Sequence, residues 1–189
     1  MPIITRRTMY LMLLLALTFG AAGEIERFAR PGTSGLDLVW WPRFPLVMGW
    51  VHDDEASWRI SSNVLLPRGQ TFAQSPVVIY GTAVYKPNGS AKSLSEFIAA
   101  DQEGFKQRSP DAQIAKLPPE RDGDGNSLAT FSFTPKAAGD WEVVAYGEEG
   151  EYFLVFVVSA RNDTELHKAM PVFRSVIAGY HAAAQSDAS

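Results

Sequence analysis

Cysteine is absent from the 189 residues. Disulfides, thiol chemistry and cysteine zinc sites are therefore excluded, as is lipid attachment at a cleavage-site cysteine. Histidine is nearly as scarce, with three residues, His52, His167 and His181. No H-E-x-x-H pair, G-x-S-x-G elbow, phosphate loop or dinucleotide glycine fingerprint occurs, so the commonest catalytic motifs are missing. After Arg6 and Arg7 there is no run of basic residues. Nucleic-acid binding needs clustered Lys and Arg to neutralise phosphates, and it is set aside. Apolar runs are short as well. The longest, Met9–Phe19, has about 11 residues, whereas crossing a bilayer takes roughly 20.

What is present at the start has the order of a secretory signal: positive Arg6-Arg7, the apolar stretch MYLMLLLALTF, then small residues Gly20 to Gly23 before the first acid, Glu24. Residues 1–23 are expected to be removed on export, after Ala22 or Gly23. The alternative is a retained membrane anchor. Thr5-Arg6-Arg7 hints at twin-arginine export, but the leucine-dense core suits the general route better. Removal takes the formal charge from −4 to −6. It leaves about 166 residues, enough for one domain with a substantial core that needs no disulfides. A periplasmic or secreted protein follows, no longer integral to a membrane.

Residues 24–56 are rich in Gly, Pro and Trp, and Pro31, Pro42 and Pro45 oppose a long helix or a central strand. An irregular segment is expected there. A regular domain should then fill 57–184, with 185–189 as a flexible tail. Its first strand is predicted at Arg59–Leu65 and its second, VVIYGTAVYK, at Val77–Lys86. Ser93 and Glu96 form a capping box for a helix to Arg108, with Leu94, Phe97, Ile98 and Phe105 on one face. A short strand, Ala112–Leu117, should stop before Pro118-Pro119, and Leu128–Thr134 alternates as a strand. Trp141–Gly147 and Glu151–Ala160 read as a hairpin. Its second arm is apolar on both faces and therefore central. A last helix is predicted from Asp163 to Ala184, capped by Asn162, with Leu166, Met170, Phe173, Ile177 and Tyr180 as its buried stripe. Pro171 should kink it. The fold class is α+β: an α-β-α sandwich whose central, mainly antiparallel sheet is flanked by helices.

Three clusters are candidates for chemistry. His52-Asp53-Asp54-Glu55 holds metal-ligand side chains, but consecutive residues point in different directions, so a solvated loop is the simpler reading. Asp122-Gly123-Asp124-Gly125-Asn126 imitates the opening of a calcium loop. It lacks the sharp-turn glycine, since Ser127 stands there, and the closing glutamate, replaced by Phe133, so it reads as a turn. No metal site and no cofactor is expected. Asn88-Gly-Ser and Asn162-Asp-Thr match the glycosylation pattern, as short sequences often do by chance. Four of five tryptophans crowd into Trp40, Trp41, Trp50 and Trp58, beside Phe44. Aromatic anchors dominate interface hot spots, so Trp40, Trp41, Phe44 and Trp50 are the candidate partner-binding residues. The same rings equally suit a segment that wraps the sheet edge and completes the core.

The segments VVIYGTAVYK, SLSEFIAADQEGF, WEVVAYGEEGEYFLVFVVSA and NDTELHKAMPVFRSVIAGY, in that order, resemble the PsbP-like fold family across residues 57–182. The family takes its name from an extrinsic protein of the photosynthetic oxygen-evolving complex, and it includes small exported bacterial proteins. The resemblance implies an α-β-α sandwich and an accessory, assembly or binding protein without catalytic residues. No functional residue carries over. The expectation is an exported non-catalytic binding protein acting on an unidentified envelope protein. The alternative is a carrier of a small apolar ligand, with its pocket between helices and sheet.

Overall fold

The computed structural model describes residues 25–32, 35–136 and 139–182. The signal segment 1–23 and the tail 185–189 lie outside the described residues. The centre of the molecule is a seven-stranded antiparallel sheet in the order β3-β4-β5-β9-β8-β7-β6. β3 is Trp50–His52, β4 Asn63–Pro67, β5 Val77–Tyr85, β6 Gln113–Arg121, β7 Ser127–Thr134, β8 Trp141–Glu149 and β9 Tyr152–Ala160. β9 pairs along its whole length with β5 on one side and β8 on the other. That is where a strand apolar on both faces belongs, since helices cover both sides.

Alternation sorts the side chains. Ile79, Phe156, Val158, Val143 and Ala145 face helix α3, Asp163–Ala178. Leu166, Phe173, Ile177 and Tyr180 of the expected stripe are buried there, and Met170 is partly so. Asn162 caps α3 through its side-chain oxygen, which accepts from the Glu165 N–H at 3.0 Å. α3 runs on through Pro171 but stops at Ala178, short of the predicted Ala184. Tyr180 leaves the helical path, so its ring enters the core and its hydroxyl donates to Glu149. The opposite face carries Tyr146, Val144, Val155, Val157 and Phe133. Helix α2, Leu94–Arg108, lies over it through Phe97, stacked on Phe153 at 4.6 Å, and Phe105, edge-on to Phe133 at 4.8 Å. Its cap is Ser93, but the carboxylate of Glu96 reaches Lys92 N at 2.7 Å, not Ser93 N.

Three expectations change. The segment predicted as a strand from Arg59 begins as a helix, α1, Asp54–Ile60. Asp53 is its N-cap, accepting from Ala56 N at 2.9 Å, and Asp54 and Glu55 favour the positive end of the first turn. The acids read as a solvated loop are thus a helix start. Residues 24–56 are not irregular either: β1, Ile25–Gly32, and β2, Gly35–Pro42, form an antiparallel hairpin separate from the main sheet. Its prolines sit at the ends of the pairing, Pro31 opposite Leu36 and Pro42 opposite Ile25. Finally, β6 continues through Pro118-Pro119 to Arg121. It is an edge strand, and a register shift between Leu117 and Glu120 removes the need for proline N–H donors.

Candidate functional site

The hairpin β1–β2 and the chain after it are laid across the end of the main sheet where β4 and β5 meet. Three contacts fix them. Asn63 donates its side-chain amide to Pro42 O at 2.9 Å. Thr82 Oγ1 lies 3.4 Å from Trp40 O. Phe44, 3% exposed, stacks over Phe156 with ring centroids 6.0 Å apart. The third contact depends on Gly81. A Cβ there would lie 2.5 Å from the Phe44 ring and 2.9 Å from the Pro42 ring. Glycine in mid-strand is what lets the crossing segment approach so closely.

Successive residues of β2 point to opposite sides. Trp40 turns toward Tyr85 and Tyr152, at 5.5 and 6.1 Å between ring centroids. Trp41, 5% exposed, turns the other way, stacked on Phe28 at 4.3 Å and edge-on to Trp58 at 5.6 Å, with its indole N–H directed at Glu26. Trp50 begins β3 and packs, partly buried, against the main core. The four sequence-predicted residues therefore do not form one surface patch. Phe44 is core, Trp41 is a largely buried wall, and Trp40 and Trp50 are half-buried against the core that holds Phe44.

Between the hairpin, α1 and the sheet end lies an open cleft of about 560 Å³, within the size range of small-ligand sites. Phe28, Trp41 and Trp58 form its aromatic wall, Phe44 and Leu46 add apolar surface, and His52, Asn63 and Asp54 line its polar side. Asp54 and Trp58, four apart on α1, share one helix face. Glu26 and Arg43, also lining the cleft, are ion-paired to each other. Next to the cleft, Trp50 N donates to Val47 O at 3.1 Å, closing a turn whose Gly49 has φ +80°. That φ favours glycine at the third position of a type II turn. The turn holds Leu46 and Met48 outward, 92% and 98% exposed.

Sequence reasoning missed Phe28, Leu46 and Met48, and it placed Trp58 in the cluster without choosing it. The available signal was the apolar content of FPLVMGW, flanked by proline and glycine as turns are but lacking the polar residues that turns usually carry.

The other two clusters are accounted for locally. Asp53 is committed to capping α1. Asp122 Oδ1 accepts from Asp124 N and Asn126 N, which makes 122–126 a side-chain-closed turn. Asp124 then holds His181 Nδ1 at 2.9 Å and Ala182 N at 2.7 Å, docking the chain after α3. The hydrogen bond from His181 holds the Asp124 carboxyl below its usual range. Among the described residues, no three His, Asp or Glu side chains are grouped to hold a metal ion.

The strongly displaced acids lie elsewhere, chiefly under α2. Burial, with the Asp101 carboxylate accepting the Tyr146 hydroxyl at 2.6 Å, pushes that phenol far above its ordinary range. Burial also raises Tyr80, next to Glu142. Glu142, half-buried on the same face, is raised as well, chiefly by loss of water.

No family model matches the chain, and no curated protein matches it. Among solved structures it is similar to cyanobacterial PsbP (CyanoP) from Synechocystis sp. PCC 6803. Sequence identity is 15%, the match covers 87% of this chain and 95% of that one, and the TM-score is 0.46. The likeness is one of fold.

Proposed function

We propose that the chain is an exported, non-catalytic accessory protein of the cell envelope that binds a protein partner through the hairpin β1–β2 and the turn after it. One observation carries this reading. Among the described residues, the exposed large apolar side chains are Leu36, Leu38, Leu46, Met48 and Trp58, all inside one stretch of 23 positions. Isolated apolar residues on a surface are ordinary, but five large ones on the hairpin, the turn and α1 make this crossing segment the candidate interaction surface. Covering Met48 and Leu36 by a partner would contribute up to about 1.5–3 kcal/mol each. The displaced acids sit in packing contacts under α2, which suits a stabilising role for them.

The test is crosslinking of the protein in its native envelope, comparing wild type with a Leu36→Ser, Met48→Ser variant. Loss of a specific crosslinked species in the variant is the expected result. An identical set of crosslinks in both would refute the surface. A second reading, a small-ligand carrier, draws on the cleft of about 560 Å³. That cleft lies between the hairpin, α1 and the end of the sheet.

A further inference from the structure

Period-two alternation puts Leu36, Leu38 and Trp40 on one side of β2, with Ala29 and Arg27 opposite the last two on β1. Leu36, Leu38 and Arg27 are exposed. At Trp40 the row meets Tyr85 and Tyr152, a directly opposed pair on β5 and β9. The three rings lean on one another at 31°, 54° and 44° between planes, so each props the next and their edges stand as fixed ridges. Between β2 and the turn Lys86–Asn88 lies an open groove of about 240 Å³, whose lining includes Leu38, Trp40, Tyr85 and Asn88.

The groove offers donors. Trp40 Nε1 makes no hydrogen bond among the described residues, and it is not enclosed. The exposed Asn88 amide supplies further N–H groups. No acid is among the lining residues, and Glu151 beside them accepts the Tyr85 hydroxyl at 3.4 Å. Arg27 makes no ion pair among the described residues. It lies near Tyr152, where its charge opposes the rise that loss of water gives that phenol. The fitting ligand is therefore apolar and extended, with many acceptors and few donors. A proline-rich segment has that character, because proline keeps its carbonyl and lacks the N–H. Its left-handed extended helix is also formed before docking, so little entropy is lost on aromatic ridges.

We infer that this face of β2, with Tyr85 and Tyr152, is a docking groove for a proline-rich segment of the partner protein. Its rings lie between Leu38, Trp40 and Tyr85, and its carbonyls accept from Trp40 and Asn88. The inference names the partner class of the surface proposed above and rests on that reading.

The probe is acetyl-octaproline amide, titrated calorimetrically into the full chain. Leu36 to Trp40 spans about 14 Å along β2. At about 3.1 Å per residue, eight prolines cover that row and reach Tyr85. A dissociation constant on the order of 0.1–1 mM is expected. An octapeptide of alternating Gly and Ser, flexible and rich in N–H, should bind at least about tenfold more weakly. A glutamate added at one end of octaproline should tighten binding about threefold, and Arg27→Gln should abolish that gain. Leu38→Ser should weaken octaproline about fivefold. Trp40→Phe, which keeps a ring but loses the indole N–H, should weaken it about threefold to tenfold. Leu38 is exposed, so its variant serves if Trp40→Phe melts early. Met48→Ser, on the turn, should leave the affinity unchanged. No heat from octaproline at about ten times the expected constant, equal binding of the Gly-Ser peptide, or unchanged affinity in Leu38→Ser would each overturn the inference. So would binding of chitohexaose in place of octaproline, which would assign the groove to a glycan. Loss of the crosslink in Leu36→Ser, Met48→Ser without octaproline binding would remove this inference and leave the partner surface standing.

Discussion

Alanine in place of Gly81 should destabilise this protein, against the ordinary preference of a strand. In a strand interior, glycine costs about 0.5–1 kcal/mol relative to alanine, so the substitution taken alone stabilises. Here the added carbon would meet Phe44 at 2.5 and 2.8 Å and Pro42 at 2.9 Å. The Pro42 ring is rigid. Phe44 is 3% exposed and stacked on Phe156, so neither obstacle can swing into solvent without opening the core. Overpacking of this kind costs about 1–3 kcal/mol, enough to reverse the sign. The net loss of about 0.5–2 kcal/mol lowers the melting temperature of a chain of this size by about 1–8 °C. Phe44→Ala alone should cost about 3–5 kcal/mol. In that background only the Pro42 ring at 2.9 Å remains in the way, and Gly81→Ala should cost less than it does in the wild type. The double-mutant cycle, read from urea unfolding and calorimetric melting, should therefore give a coupling of about 1–3 kcal/mol. A Gly81→Ala protein that melts at or above wild type would show that the crossing segment does not rest on β5, and the cleft would lose its floor.

Two further perturbations probe the face under α2. Tyr146→Phe removes the hydroxyl held by Asp101 at 2.6 Å and should cost about 1–3 kcal/mol in urea unfolding; an unchanged unfolding free energy would mean that α2 is not tied down there. Glu142 has a raised pKa in the folded state because burial disfavours its charge. Folding therefore favours the protonated form. Its contribution is complete below the ordinary carboxylate value and is lost as pH rises through the raised one. Wild type should lose stability relative to Glu142→Gln as pH rises from the ordinary carboxylate range, about 4, through the raised value. Parallel stability curves for the two proteins would contradict that placement.

Much of the fold could be read from local pattern, because local pattern was what shaped it. The two-sided apolar run YFLVFVVS can only be satisfied between two strands with both faces covered, and β9 lies there. The stripe Leu166, Phe173, Ile177 on α3 follows from helical spacing alone, as does the cap at Asn162. The acids 53–55 were legible in principle too, since Asp before an acidic first turn is a helix start. With a proline-rich stretch before them and a strand expected at Arg59, they look like a loop, and only the capping geometry at Asp53 shows the helix between. By itself, then, the sequence determined the absence of thiol chemistry, the strands from Val77 onward apart from the C-terminal end of β6, and two of the three α-helices among the described residues. Tertiary structure alone decided what the tryptophans do. Period-two alternation places Trp40 and Trp41 on opposite sides of β2, but which side is core depends on how the hairpin crosses β5. That crossing is set by contacts distant in sequence, such as Asn63 with Pro42 and Gly81 with Phe44. Those contacts bury Phe44, leave Leu46 and Met48 in the open, and gather His52, Asp54 and Trp58 around one cleft.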